Sequence, residues 1–417
     1  MSLASGSEAL RGPRHPVVYS ILVIPFGAAA GFASVTLAFL ATQHGLTVGQ
    51  GAGLIALSLF PQVWKFFWAP IADTTLTRRR WYLIANVFVA AGVLAMCAVP
   101  LGASTLWLMQ LIVLLTSFAS TFIGFAAEGF IAHLTPPADR GRVSGWYQAG
   151  NLGGTGLGGG LGLWLLDTMP KGWEAGAIVS TALLACGLAL AFLPDVPAEA
   201  RGRPLREVIS GLGVDLWRVI WSRTGFLCAF LCLVPVGTGA ASGVLAQAEV
   251  AAHWHAGAAQ VELVQGFLNG IVSIVGCIVG GYGCNLWGAR RAYVIYGFVM
   301  AATALGMAFL PAVVWVYVAG GLAYAFGTGL AYAAFTGFVL DAIGAGNAAT
   351  KYNAFASVSN TPIWYMGLVL AAVHTHFGPR NMLVAEAVFE AGGAILFVAV
   401  AALTMRRITI VAAVQPA

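Results

Sequence analysis

Charge is what this sequence has least of. Asp, Glu, Lys and Arg together make up 8% of its 417 residues, where a soluble protein carries about 25%. With 59% of the chain hydrophobic, too few charges remain to clothe an aqueous surface, so a water-soluble globular fold is excluded. Cysteine is scarce too. Cys97, Cys186, Cys228, Cys232, Cys277 and Cys284 all fall inside apolar runs, with no metal-ligand spacing and no loop position suited to a disulfide. No G-x-x-x-x-G-K-[ST] occurs, which removes a P-loop nucleotide site as an energy source. No nucleophile and base pair at membrane depth, so an enzyme is not expected, and no cofactor or metal is expected either. The N-terminus lacks an n-h-c signal pattern before the first long apolar run, which is expected to act as its own insertion signal. The net charge of +5 is spread by topology and not gathered in a patch, so nucleic acid is not an expected partner.

What the chain does have is long apolar spans, each of the roughly 20 residues or more needed to cross a bilayer core. Six lie at 17–41, 51–71, 81–101, 104–133, 143–167 and 174–194, and six more at 224–247, 261–287, 291–312, 313–341, 351–374 and 382–405. A polar segment, 195–223, separates the two sets, with tails at 1–16 and 406–417. The halves repeat. Pro25-Phe26-Gly27 matches Pro235-Val236-Gly237 and Gln50 matches Gln260, both at an offset of 210, and Pro100 matches Pro311 at 211.

The positive residues set the orientation. Seventeen Lys and Arg fall on one side, among them Arg14, Arg140, Arg142 and the run Arg78–Arg80, against only Lys171 and Arg380 on the other. Basic residues accumulate on the cytoplasmic side, so both termini are expected there.

The stretch from Trp64 to Trp81, W-K-F-F-W-A-P-I-A-D-T-T-L-T-R-R-R-W, places one acid, Asp73, ahead of Arg78, Arg79 and Arg80 between two apolar spans. Gly281-Tyr-Gly-Cys-Asn285-Leu-Trp-Gly288-Ala-Arg290-Arg291 repeats the design as G-x-x-x-[D/N]-x-x-G-x-R-R. This pattern resembles the signature loop of the major facilitator superfamily, between helices 2 and 3 and again between 8 and 9. The first copy departs from it, with Ala69 for the leading Gly and Thr75-Leu76 where the second Gly belongs. Its K-F-x-W-A-P-x-x-D with R-R-R-W is similar instead to the peptide/acetyl-CoA/drug transporter branch, which includes AmpG-like muropeptide permeases. Glu128 to Arg142, Gly172-Trp173-Glu174 and Ala349-Thr350-Lys351-Tyr352 resemble further family segments. The resemblance implies an all-α polytopic fold of 12 transmembrane helices in two pseudo-symmetric six-helix bundles. It further implies a monomeric inner-membrane secondary transporter working by alternating access. Uptake of a small polar solute of the muropeptide, peptide or siderophore kind, coupled to protons, is the expected activity. An exporter, a membrane-embedded ligand sensor that does not transport and, less well supported, an integral membrane enzyme are the alternatives.

Candidate residues follow from what is costly in lipid. Lys65 and Glu128 are ionisable groups inside spans, and such groups are functional candidates by default. Both lie toward the cytoplasmic side at similar depth, as an inner ion pair, a gate or a proton-coupling pair. The plainer reading is that Lys65 snorkels to the interface and Glu128 braces the arginine loop. Asp73, Arg78, Arg79, Arg80, Asn285, Arg290 and Arg291 read as gating and structural groups. Gln62, Tyr147, Gln148, Asn151, Gln265, Asn269, Tyr324, Asn353, Asn360 and Trp364 are substrate candidates, because amides, phenols and indoles can bind and stack a polar solute. Any one of them can instead be glue between helices. Span 5 is dense in glycine, and Gly150, Gly154 and Gly158, spaced four apart, predict close helix packing. Gly154-x-Gly156-x-x-Gly159 matches a dinucleotide fingerprint formally, but no strand precedes it. Glu386 and Glu390 share a face of span 12, either lining water or capping the outer end. His253/His255 and His374/His376 form two H-x-H pairs in outer loops, where an obligatory metal site is not expected.

Overall fold

The computed structural model describes residues 12–46, 48–196, 205–245, 248–343 and 348–414. Residues 197–204 of the expected linker, Gln247 and the side chain of Trp364 lie outside the described residues. Among the described residues there is helix and no strand.

Among the described residues, eight helices are long and apolar enough to cross a membrane, and one of these, Thr350–Thr404, is two spans joined end to end. The join is at Gly378, whose φ of 81° admits no ordinary side chain, followed by Pro379 at the start of the next helix. Three more spans complete twelve, each too interrupted or too glycine-rich to count by apolarity alone. We number them α1 (Val17–Gly31, continuing through a π turn at Phe32–Leu37 to Gln43), α2 (Val48–Trp64, then Ala69–Thr74), α3 (Arg78–Ala98) and α4 (Leu106–Leu134). There follow α5 (Arg140–Thr168), α6 (Gly172–Cys186, extended by a 3-10 stretch to Phe192), α7 (Arg223–Leu231, then Ala240–Leu245) and α8 (Ala258–Gln265, then Phe267–Trp287). The last are α9 (Ala289–Phe309), α10 (Val314–Ile343), α11 (348–377) and α12 (379–414). A linker helix, Leu205–Trp221, joins the two sets of six.

Two expectations change. The arginines between α2 and α3 are not in a loop. Thr77 caps α3, its hydroxyl accepting from the Arg80 amide, so Arg78–Arg80 form the first turn of the helix. Only Thr75–Thr77 remain between the helices. Nor is span 7 continuous: the chain leaves the helix after Leu231 and resumes at Ala240, with Gly237 at φ 66° and Gly239 at φ 58°. Pro25-Phe-Gly27, its counterpart in the repeat, stays helical inside α1.

The glycines of α5 serve two faces. A Cβ on Gly154 would stand 2.6 Å from the Ile24 carbonyl oxygen of α1, and one on Gly150 would meet the Ser20 backbone. On the other face, a Cβ on Gly145 would lie 2.5 Å from the Cys277 carbonyl oxygen, and one on Gly156 2.5 Å from the Gly270 Cα, both on α8. Backbone thus meets backbone on both sides of α5, once within a bundle and once between bundles. The dinucleotide-like spacing is entirely helical and belongs to this packing.

Candidate functional site

A proline sets the site's first residue. Pro70 has no amide hydrogen and crowds the carbonyl four residues earlier, so α2 tightens into a 3-10 turn at Lys65–Phe67 and restarts at Ala69. The Trp68 indole, donating to the Thr121 hydroxyl at 2.9 Å, pins this turn to α4. The turn carries Lys65 inward, where its Nζ lies 3.9 Å from Glu128 Oε1 of α4 and 5.8 Å from the centre of the Phe26 ring of α1. Both partners are buried, Lys65 at 7% and Glu128 at 3% exposure.

Glu128 also joins the bundles. Tyr147 of α5 donates its hydroxyl to Oε1 at 2.9 Å, and Asn353 of α11 donates its amide to Oε2 at 2.5 Å. The carboxylate is held by one cation and two neutral donors, one of which belongs to the other half of the protein. A polar chain runs on from there. Tyr352 meets the Tyr147 ring edge-on at 6.5 Å, and its hydroxyl lies 3.1 Å from Thr336 Oγ1. Gln148 donates to the same Thr336 oxygen at 2.7 Å and accepts from Asn151 at 2.9 Å.

A second set of contacts closes the arginine-bearing end. Arg78, 1% exposed, points its Nη2 at Asp73 Oδ1, 3.3 Å away, while Thr350 of α11 donates to Asp73 Oδ2 at 2.7 Å. Asn285 Oδ1 accepts from the Arg142 amide at 2.9 Å, and Arg140 meets Asp341 at 3.0 Å. Arg79 turns away from the interface and donates to the Leu190 and Leu193 carbonyls at the end of α6, at 2.9 Å each. Arg80 and Arg291 are exposed, and Arg290 lies over the Phe338 ring at 5.7 Å.

The substrate candidates divide. Tyr147, Gln148, Asn151 and Asn353 gather around Glu128 and Thr336, and Asn360 stands exposed two turns beyond Asn353 on α11. Gln62 donates to the Ser120 hydroxyl at 3.2 Å inside the N-terminal bundle. Gln265, Asn269 and Tyr324 lie elsewhere, inside the C-terminal bundle. Gln265 reaches the Ser242 carbonyl, Asn269 accepts from Ser273, and Tyr324 donates to Glu386. Thr336 escaped the sequence reading because a lone threonine in an apolar helix carries no signal. Thr350 sat in the A-T-x-Y segment, where only its position could have drawn attention. His253 and Arg380 border a cavity of about 240 Å³ at the opposite end, away from this network.

Comparison with known proteins agrees with this architecture. The family model described as Major Facilitator Superfamily matches residues 19–363. The anhydromuropeptide permease of Escherichia coli K12 is 24% identical over 308 residues, which are 72% of this chain and 62% of the permease. The chain therefore matches less than two thirds of that relative's length. Among solved structures, the human organic anion transporter TETRAN superposes with a TM-score of 0.69 at 16% identity, covering 91% of this chain and 98% of that one. A proton:xylose symporter, XylE, bound to 6-bromo-6-deoxy-D-glucose, gives 0.67 at 12% identity over 91% and 94%. These two speak to the fold alone. With twelve spans in two bundles and a family match over most of its length, this multi-pass membrane protein belongs to the Major Facilitator Superfamily of transporters.

Proposed function

We propose that the protein is an inner-membrane symporter that takes up a polar solute of the muropeptide or peptide kind, driven by protons bound at Glu128. Residues 17–194 and 224–405 are the two moving bundles, and the arginine-bearing end, with both termini, faces the cytoplasm. The observation that carries the coupling role is the Asn353–Glu128 hydrogen bond, 2.5 Å long, between α11 and α4. An ionised carboxylate only accepts, whereas a protonated one must donate from one oxygen. A proton on Oε1 can be accepted by the Tyr147 hydroxyl, which turns to receive it, whereas a proton on Oε2 sets two donors together and the Asn353 contact between the bundles is lost. Lys65 neutralises the empty, ionised site, so the charge at this depth changes by one as the proton comes and goes. The amides and phenols of Gln148, Asn151 and Asn353 are of the type that binds sugar hydroxyls and peptide groups. The likeness to an anhydromuropeptide permease favours that substrate class over a siderophore.

The test is transport by reconstituted Glu128→Gln with a labelled anhydromuropeptide. Accumulation driven by a proton gradient is abolished while counterflow exchange persists. If the two activities fall together, or neither falls, Glu128 has no coupling role. Counterflow in the wild type also separates the alternatives, since a sensor gives no trans-stimulated flux.

A further inference from the structure

The break in α7 frees peptide groups inside a membrane protein, where each must find an internal partner. Tyr365 of α11 donates to the Leu233 carbonyl at 2.9 Å, and Tyr293 of α9 to the Val236 carbonyl at 2.5 Å. The Val236 amide bonds the Val234 carbonyl, while those of Gly237, Thr238 and Ala241 go to two acids of α12. Glu390 Oε2 accepts from the Gly237 amide at 2.5 Å, and Oε1 accepts from the Thr238 amide at 2.8 Å and its hydroxyl at 2.9 Å. Glu386, one turn earlier, accepts from the Ala241 amide at 2.9 Å and from the Tyr324 hydroxyl of α10 at 2.5 Å.

Both acids are 1% exposed. Among the described residues no Lys, Arg or His forms an ion pair with either. The titratable groups facing them are the phenols of Tyr293, Tyr324 and Tyr365, on α9, α10 and α11. α7 adds Thr238 and, beyond Tyr293, the thiols of Cys228 and Cys232. Among the described residues α8 contributes the Gln265 amide, which reaches the Ser242 carbonyl. The fold itself does not require this pair. At the repeat offset of 210, the equivalent positions in α6 are Gly176 and Ser180, and Ser180 simply bonds the Ala90 carbonyl.

We infer that Glu386 and Glu390 form a second proton-binding site, which latches the break in α7 when ionised and releases it when protonated. This rests on the proposal that protons drive the protein, but it places a separate site in the other bundle. Three donors converge on the two oxygens of Glu390, an arrangement that suits an acceptor-only carboxylate. One proton from solution occupies one oxygen, which then donates, so the Gly237 or Thr238 bond is given up; no other group is consumed. Two negative charges one turn apart, with no ion-paired cation among the described residues, repel in a low-dielectric interior, and the proton relieves that repulsion too. The segment loosened runs from Gly237 into Ala240–Leu245, whose remaining side-chain ties are Glu386 on the Ala241 amide, the Tyr317 hydroxyl on the Leu245 carbonyl and the longer Gln265 contact. Glu386 and Glu390 follow Gly378 by two to three turns at the end opposite the arginines, whereas Glu128 lies under two turns from the arginine end of α4. The two proton sites thus stand at different depths.

Hydrogen exchange of the peptide 237–245 in the full-length protein, reconstituted in lipid nanodiscs and corrected for intrinsic exchange, tests this. Protection of that segment in the wild type is expected to fall about tenfold or more between about pH 8 and about pH 5. Glu390→Gln, which mimics the protonated acid, is expected to be poorly protected throughout, while Glu128→Gln titrates like the wild type. Protection that is flat with pH in the wild type overturns the inference without any variant, as does a wild-type titration retained in Glu390→Gln. Flat protection beside intact proton-driven accumulation removes this site alone. A normal titration beside accumulation that ignores the proton gradient removes only the coupling proposal for Glu128.

Discussion

Thr350 donates its hydroxyl to Asp73 across the boundary between the bundles, at 2.7 Å, while the other oxygen of Asp73 faces Arg78. One carboxylate thereby serves both the interior of a bundle and its contact with the other. The two roles separate by mutation. Thr350→Val deletes only the crossing bond, a change of about 1 kcal/mol, so thermal stability stays near wild type while transport changes. Asp73→Asn strands the buried Arg78 charge, at about 3–5 kcal/mol, and lowers both. Thermal melting of the purified variants beside flux measurements checks this, and equal melting losses for the two would refute it.

The Lys65–Glu128 pair is predicted to be strongly non-additive. Removing either partner leaves a charge in an apolar interior, so Lys65→Met or Glu128→Gln alone destabilises by about 3–5 kcal/mol. The double variant carries no stranded charge and recovers about 1–3 kcal/mol of that. Denaturation of the four proteins of the cycle measures the coupling. A double variant as damaged as the sum of the singles would mean that the two side chains do not interact.

The two glycine faces of α5 should respond differently to one methyl group. Gly154→Ala meets the Ile24 carbonyl oxygen at 2.6 Å within the N-terminal bundle and is expected to cost about 1–3 kcal/mol of stability. Gly145→Ala meets Cys277 and Gly281 across the boundary. It is expected to leave each bundle folded but to slow the exchange between conformations, read as lower turnover with near-normal melting. Equal melting losses for both variants would contradict this division.

Arg79→Ala should behave as a cap variant. Its guanidinium satisfies the Leu190 and Leu193 carbonyls at the end of α6, and losing hydrogen bonds to a charged group costs about 1.5–3 kcal/mol. Melting falls, and the ratio of accumulation to exchange does not. A changed ratio would show that the three arginines act as one device.

Much of this architecture is legible in the sequence, because lipid forces long apolar spans and sorts positive charge by side. Lys65 and Glu128 stand out for the same reason: ionisable residues are rare enough in spans to be noticed singly. What stays hidden is whatever depends on which neighbour a side chain meets. Asn353 and Thr336 look like ordinary helix polar residues until α11 and α10 are laid against α4 and α5. The break in α7 is equally obscure. Pro235-Val-Gly237 differs little from Pro25-Phe-Gly27, which stays helical, and the acid that accepts the Gly237 and Thr238 amides lies some 150 residues away on α12. The arginines of Arg78–Arg80 looked like a loop because charge between two spans marks an interface but does not say whether the helix has already begun.

The bonds from Asp73, Glu128, Arg140, Arg142 and Gln148 to the second bundle all lie toward one end, while the α5–α8 glycine seam reaches from Gly141 to Gly160. The seam is backbone on backbone at Gly145 and Gly156, with the Ile274 and Phe267 side chains set against Gly153 and Gly160, whereas parting the bonded end means giving up every one of those bonds at once. The two motions are therefore unequal: sliding along the seam disturbs little but backbone contact, while separation at the bonded end is all or nothing.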